Sequence, residues 1–121
     1  ENLNLWSKLS KGFNFKINFF LQPLALWTEK KLSKEEVKIF DILDNSNDFA
    51  HLTLKQISTK ESYINFSNLL KETTELNEIN FIDLNKKLKQ SKNINKFLFV
   101  DRVHMSDLGY KEISSVILNY I

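Results

Sequence analysis

An α/β fold is what the sequence predicts, and three observations carry the expectation. Residues 15–22 alternate, with Phe15, Ile17, Phe19 and Leu21 on one face and Lys16, Asn18 and Gln22 among those on the other. A period of two in aromatic and β-branched residues is the pattern of a strand. Two more short apolar runs, 81–84 and 97–100, lie far downstream, and segments with helical spacing stand between and around them. Strands alternating with helices favour a sheet flanked by helices over a bundle.

Taken in order, residues 4–11 carry a short amphipathic stripe of Leu5, Trp6 and Leu9 ahead of Gly12. Glycine just past a helix is a common stop, so this reads as the tail of a helix whose beginning lies ahead of Glu1. Pro23 ends the first strand because it has no N–H to give to a ladder. Residues 24–32, with Trp27, read as a loop or a single helical turn. Ser33 is placed to cap the next helix, with Glu35 and Glu36 in its first turn, where the helix dipole favours negative charge. Val37, Phe40 and then Leu43 or Asp44 continue its stripe until Asn45-Ser46-Asn47-Asp48 breaks it. A helix over 61–76 turns Ile64, Leu69 and Leu70 inward. After the strand at 81–84 come a lysine-rich helix over 85–90, a polar turn over 91–95 and the buried segment 97–100. The last helix, 107–120, is the clearest element: Tyr110, Ile113, Val116, Ile117 and Tyr120 recur at helical spacing behind a Ser106 cap.

Composition bounds the rest. A length of 121 residues fits one domain or part of one, and 42% apolar content with ten Phe supplies a core. A net charge of +2 gives no basis for nucleic-acid binding, which needs clustered phosphate contacts. The absence of cysteine removes disulfides, thiolate metal sites and a cysteine nucleophile. No apolar run reaches the roughly 18 residues of a membrane span, and the N-terminus lacks a signal-peptide pattern. The compartment stays open, with a lean to the cytoplasm.

The chemistry-bearing stretch is Val100-Asp101-Arg102-Val103-His104, directly after an apolar run and directly before a helix start. A general base needs an imidazole nitrogen that can take a proton and a second group that fixes the tautomer. Asp101 and His104, three residues apart on a tight turn, can supply both. The bland reading is a helix N-terminus with a surface Asp and a half-buried His. Ligands of open α/β sheets bind beyond the carboxyl ends of the strands, which adds Gln22 and Trp27 as substrate-binding candidates at the same edge. Gln22 can equally satisfy backbone groups around Pro23, and Trp27 can equally be core or lid.

Val100-Asp101-Arg102-Val103-His104-Met105-Ser106-Asp107-Leu108-Gly109 resembles the last block of the SGNH/GDSL hydrolases, where a strand ends in Asp-x-x-His and Gly follows before the final helix. A second likeness lies in Phe19-Phe20-Leu21-Gln22-Pro23 followed by Lys30-Lys31-Leu32-Ser33-Lys34-Glu35-Glu36, similar to a "QP" then "K-x-L-S-x-E-E" stretch of some bacterial members. Together they span about residues 13–121. The resemblance implies a flavodoxin-like three-layer sandwich with a mainly parallel sheet, of which residues 1–121 would be the C-terminal part as a single domain. It also implies a serine esterase acting on ester or O-acetyl groups, with carbohydrate esters ahead of lipids, no cofactor, and Asp101 and His104 as catalytic residues. The missing N-terminal part of the same domain would then be a partner.

The nucleophile half of such a site is missing from the chain. The family draws its Ser from a Gly-Asp-Ser block and its oxyanion donors from that Ser and from a Gly and an Asn in middle blocks. Asp44-Asn45-Ser46-Asn47-Asp48 holds a serine but lacks the glycine of a tight strand-to-helix turn. Gly12-Phe13-Asn14 has Phe15 where the family's Gly-x-Asn-Asp block has Asp. His51 reads as structural or solvent-facing, and the lysines at 86, 87, 89 and 92 as a solvated helix face. Two distant histidines and scattered carboxylates lack metal-ligand spacing, and no glycine loop for phosphate exists among two glycines. The competing expectation is a non-catalytic α/β binding or assembly module without a nucleophile.

Overall fold

The computed structural model describes residues 2–46 and 48–121. Helix α1, Asn2–Phe13, runs through Gly12 and ends two residues later than the glycine suggests. The stop is Asn14, in the left-handed region at φ 54°, and the Phe15 N–H reaches back 3.1 Å to the Ser10 carbonyl. Asparagine tolerates this conformation better than most residues, and the five-residue reach closes a Schellman end. Whether the helix starts ahead of Glu1 lies outside the described residues.

Strand β1, Asn18–Leu21, pairs in parallel with β2, Asn80–Asp83, in the register Asn18 to Asn80 through Leu21 to Asp83. The alternating run 15–22 thus contributes only its second half to a ladder. The crossover between them contains α2, Lys34–Asp44, α3, Phe49–Ile57, and α4, Lys60–Leu76. A Ser33 capping box starts α2: its Oγ accepts from the Glu36 N–H, and the Glu36 carboxylate accepts from the Ser33 N–H at 2.7 Å. The break at 45–48 is seen at Asn45 and Ser46, with Asn47 outside the described residues. Helix α3, for which the sequence reading gives no element, buries no residue; Phe49, Leu52 and Ile57 are all exposed. Asp48 caps it, accepting from the Ala50 N–H. After β2 come α5, Leu84–Lys89, and α6, Asp107–Ile117, the latter capped by Ser106.

The expected flavodoxin-like, three-layer sandwich with a mainly parallel sheet is not what the chain builds. The structure is about 55% helix, with six helices and a two-stranded parallel sheet among the described residues. The reason lies in the segment 97–100. Leu98 and Phe99 are fully buried, but Phe99 makes only an isolated antiparallel bridge, to Met105. The Leu98 and Phe99 N–H groups, which a third strand would give to a neighbour, go instead to the Glu36 carboxylate at 2.9 and 3.0 Å. The Phe97 and Leu98 carbonyls accept from the Ser106 hydroxyl and N–H, both at 2.8 Å. Buried backbone groups must be paired, and here side chains and a local turn pair them in place of a strand.

The core gathers Phe40 of α2, Ile82 of β2, Leu84 and Leu88 of α5, Leu98, Phe99 and Met105 of the turn region, and Ile113 of α6. No helix among the described residues is long and apolar enough to cross a membrane.

Candidate active site

The turn after the buried segment closes on itself. The Val100 N–H donates to the His104 carbonyl at 3.0 Å, and residues 101–103 form the tip. Asp101 turns its carboxylate inward over that tip. Oδ1 accepts from the Val103 and His104 N–H groups at 2.7 and 2.6 Å, an Asx turn that builds the loop from one side chain. Oδ2 lies 2.7 Å from His104 Nδ1. Burial pushes the Asp101 carboxyl up, but the two backbone donors and His104 outweigh it and hold the carboxyl below its ordinary value. An ionised aspartate accepts, so Nδ1 carries the hydrogen of this bond, and in the neutral ring that arrangement leaves the lone pair on Nε2. The His104 side chain is 67% exposed, against 21% for Asp101, so the ring faces solvent while its orienting acid is sheltered.

Neighbouring elements hold this turn in place. Gln22, at the end of β1, donates from Nε2 to the Val103 carbonyl at 3.0 Å. Three residues on, the Ala25 N–H donates to the Arg102 carbonyl, also at 3.0 Å. Arg102 is buried, lies over the Phe40 ring, and places Nη2 at 2.8 and 2.7 Å from the two Asp44 oxygens at the end of α2. Burial raises the Asp44 carboxyl, but Arg102 and Lys55 more than reverse this and leave it below the ordinary value.

Of the four candidates, the structure brings Asp101, His104 and Gln22 together and sets Trp27 apart. Trp27 is buried beside Tyr63 and Phe66, at ring-centre distances of 5.5 and 6.0 Å. It walls an apolar cavity of about 520 Å³ with Leu24, Ile57, Phe66 and Leu69, and neither Asp101 nor His104 lines that space. The indole Nε1–H has no hydrogen-bond partner among the described residues.

Two side chains that matter were missed by sequence reasoning. Asn85, fully buried at the start of α5, accepts from the Leu24 N–H at 3.0 Å and donates to the Gln22 carbonyl at 3.2 Å, tying down both sides of Pro23. Asp83 steadies it by accepting from its N–H and its amide, and also accepts from the Tyr63 hydroxyl at 2.6 Å. Burial and then the Asp83 charge push the Tyr63 phenol well above its usual range. The other is Glu36, for which Ser33-x-x-Glu36 was the available signal, a capping-box pattern.

The remaining candidates have structural employment. The Ser46 hydroxyl donates to the Leu43 carbonyl at the end of α2, and Asn14 terminates α1. His51 sits half-buried on helix α3. Lys89 pairs with Glu29, which Lys60 also contacts, and the two hold the Glu29 carboxyl down to about 2. Among the described residues, no group of three or more His, Asp or Glu is placed to hold a metal ion. No family model matches this chain, and no curated protein matches it.

Proposed function

We propose that this chain carries the acid–base half of a serine ester hydrolase of the SGNH/GDSL type. The reading rests on the site and not on the architecture, since one set of catalytic groups recurs on unrelated folds. The observation that carries it is the 2.7 Å contact between Asp101 Oδ2 and His104 Nδ1 on an imidazole open to solvent. In this reading a serine from a segment beyond this chain attacks an ester carbonyl carbon. His104 Nε2 takes the hydroxyl proton as the new C–O bond forms and the carbonyl π electrons move onto oxygen. The imidazolium then gives that proton to the departing alcohol, while the fixed Asp101 carboxylate stabilises its positive charge. Water repeats the sequence on the acyl-enzyme. The oxyanion donors come with the nucleophile. The substrate class is an ester or O-acetyl group of a hydrated alcohol, a carbohydrate first, in keeping with an open, polar turn bordered by exposed Gln22.

The decisive experiment joins this chain to the coding sequence that precedes it and measures p-nitrophenyl acetate hydrolysis. The chain alone gives background rates. The joined protein turns over, and His104→Ala removes nearly all of that turnover with the fold retained; undiminished turnover in that variant sinks the assignment. A second reading, a non-catalytic binding or assembly module, draws on the use of Ser33, Ser46 and Ser106 as helix-end residues, all bonded to backbone. A preceding sequence without Gly-Asp-Ser favours it.

A further inference from the structure

We propose that Glu36 is a positioning residue for the Asp101–His104 pair, acting through the backbone of Leu98 and Phe99; this rests on the hydrolase reading of that pair. Glu36 belongs to the first turn of α2, where a glutamate ordinarily faces water and helps the helix dipole. Here it is fully buried. Oε1 accepts from both the Leu98 and the Phe99 N–H, at 2.9 and 3.0 Å. Oε2 accepts from the Ser33 N–H at 2.7 Å and from the Lys30 ammonium. The Lys30 side chain is itself completely buried, lies near the Phe99 ring, and gives a further hydrogen bond to the Lys96 carbonyl at 3.0 Å.

An ion pair taken wholly out of water is poor evidence of stabilisation, because desolvating two charges offsets most of their attraction. What this pair does geometrically is specific. Among the described residues the segment 97–99 joins no sheet and makes one isolated bridge, Phe99 to Met105, so its register rests largely on two clamps. The Glu36 carboxylate holds the amide side, and Ser106 holds the carbonyl side. Two residues beyond Phe99 stands Asp101. A shift of the clamped segment moves the Asp101 carboxylate, and a carboxylate displaced by an ångström no longer holds Nδ1 at 2.7 Å. Glu36 thereby selects the imidazole tautomer from 62 and more residues away in sequence.

The test reads the His104 tautomer directly, by long-range ¹H–¹⁵N correlation of the chain as it stands, at a pH where the ring is neutral. The wild type shows the Nδ1–H form in excess, the reverse of a free histidine. Lys30→Met with Glu36→Leu removes the acceptor without leaving a buried charge; the Nδ1–H to Nε2–H ratio falls at least threefold. Lys30→Met with Glu36→Gln restores most of the ratio, because an amide oxygen can still accept from Leu98 and Phe99. Ile79→Ala, a buried position outside the core cluster of Leu98 and Phe99, lowers stability and leaves the ratio unchanged. A wild-type ratio in the Lys30→Met/Glu36→Leu chain overturns the positioning role while leaving the Asp–His pair standing. No Nδ1–H excess in the wild type overturns the hydrolase reading itself, and this inference with it. Should the apolar pair fail to fold, the wild type in sub-denaturing urea decides. The Leu98 and Phe99 amide protection and the Nδ1–H signal disappear together, and an imidazole signal that outlives those amides overturns the role.

Discussion

Gly109 lies so close to Leu98 that a β-carbon on it would stand 2.3 Å from the Leu98 carbonyl oxygen and 3.0 Å from the Met105 side chain. That carbonyl is the one the Ser106 N–H binds, so helix α6 docks its first turn directly on the clamped segment. Gly109 is needed here for close approach, since its φ is negative and any residue has that freedom. Gly109→Ala forces backbone apart from backbone, and overpacking of this kind costs about 1–3 kcal/mol. Urea unfolding at neutral pH measures it. The control Gly12→Ala, which meets nothing within 4 Å on helix α1, should be neutral to mildly stabilising. Equal effects at the two glycines would show that α6 does not need the close approach.

Asp101 makes the fold pH-sensitive in a defined window. Its folded-state carboxyl is held below the ordinary value of roughly 3.9, despite burial, by two backbone donors and His104. A group depressed in the folded state stabilises above its unfolded value and loses that contribution as pH falls through the folded one. Wild type should therefore exceed Asp101→Asn in urea midpoint at pH 5, with the gap closing as pH falls below the ordinary aspartate value of about 4. Because other carboxylates titrate in both chains, the difference isolates this one. A gap that stays constant over the interval counts against an ionised, depressed Asp101.

How much of this could be read in the sequence follows from how local each interaction is. The Asp101–His104 contact spans three residues and the α6 stripe eleven, so spacing alone exposed them. The third strand failed for the opposite reason. The run 97–100 has strand chemistry, and only the Glu36 carboxylate, 62 residues earlier, decides that its amides find a side chain instead of a strand. Glu35 and Glu36 look alike in sequence, yet one is exposed and the other sealed in the core. Trp27 and Gln22 follow the same strand, which places them at one edge by sequence, but five residues of loop carry Trp27 against Tyr63 and Phe66 of α4. Helix α3 carries a short apolar stripe in Phe49, Leu52 and Ile57, yet all three are exposed, so at this helix periodicity and burial part company.

Trp27 offers a test of what its indole N–H is worth. Truncating a buried aromatic to alanine costs about 3–5 kcal/mol, so Trp27→Ala should be strongly destabilising. Trp27→Phe keeps a ring between Tyr63 and Phe66 and removes a buried donor that has no acceptor among the described residues. An unsatisfied buried group costs about 1–3 kcal/mol, which offsets the lost apolar area, so the net change should stay within about 1 kcal/mol. Thermal or urea unfolding separates the two variants. If phenylalanine costs as much as alanine, the N–H is satisfied after all.

The Arg102–Asp44 pair should be worth more to remove by halves than whole. Arg102 is 9% exposed and its only carboxylate partner among the described residues is Asp44, which Lys55 also contacts at 3.0 Å. Asp44→Ala strands a guanidinium against the Phe40 ring and should cost about 3 kcal/mol, the lower end of the range for breaking a buried pair. Arg102→Met with Asp44→Leu replaces both charges by apolar volume, so it should recover most of that loss. Lys55→Ala, which removes only a half-exposed ammonium, should change stability by less than about 1 kcal/mol. Because Arg102 sits beside Asp101, the same three variants report on the site: Asp44→Ala should loosen the turn and weaken amide protection at Val103 and His104, whereas Lys55→Ala should not. Equal protection in both would mean that the Asx turn of Asp101 holds itself, without help from α2.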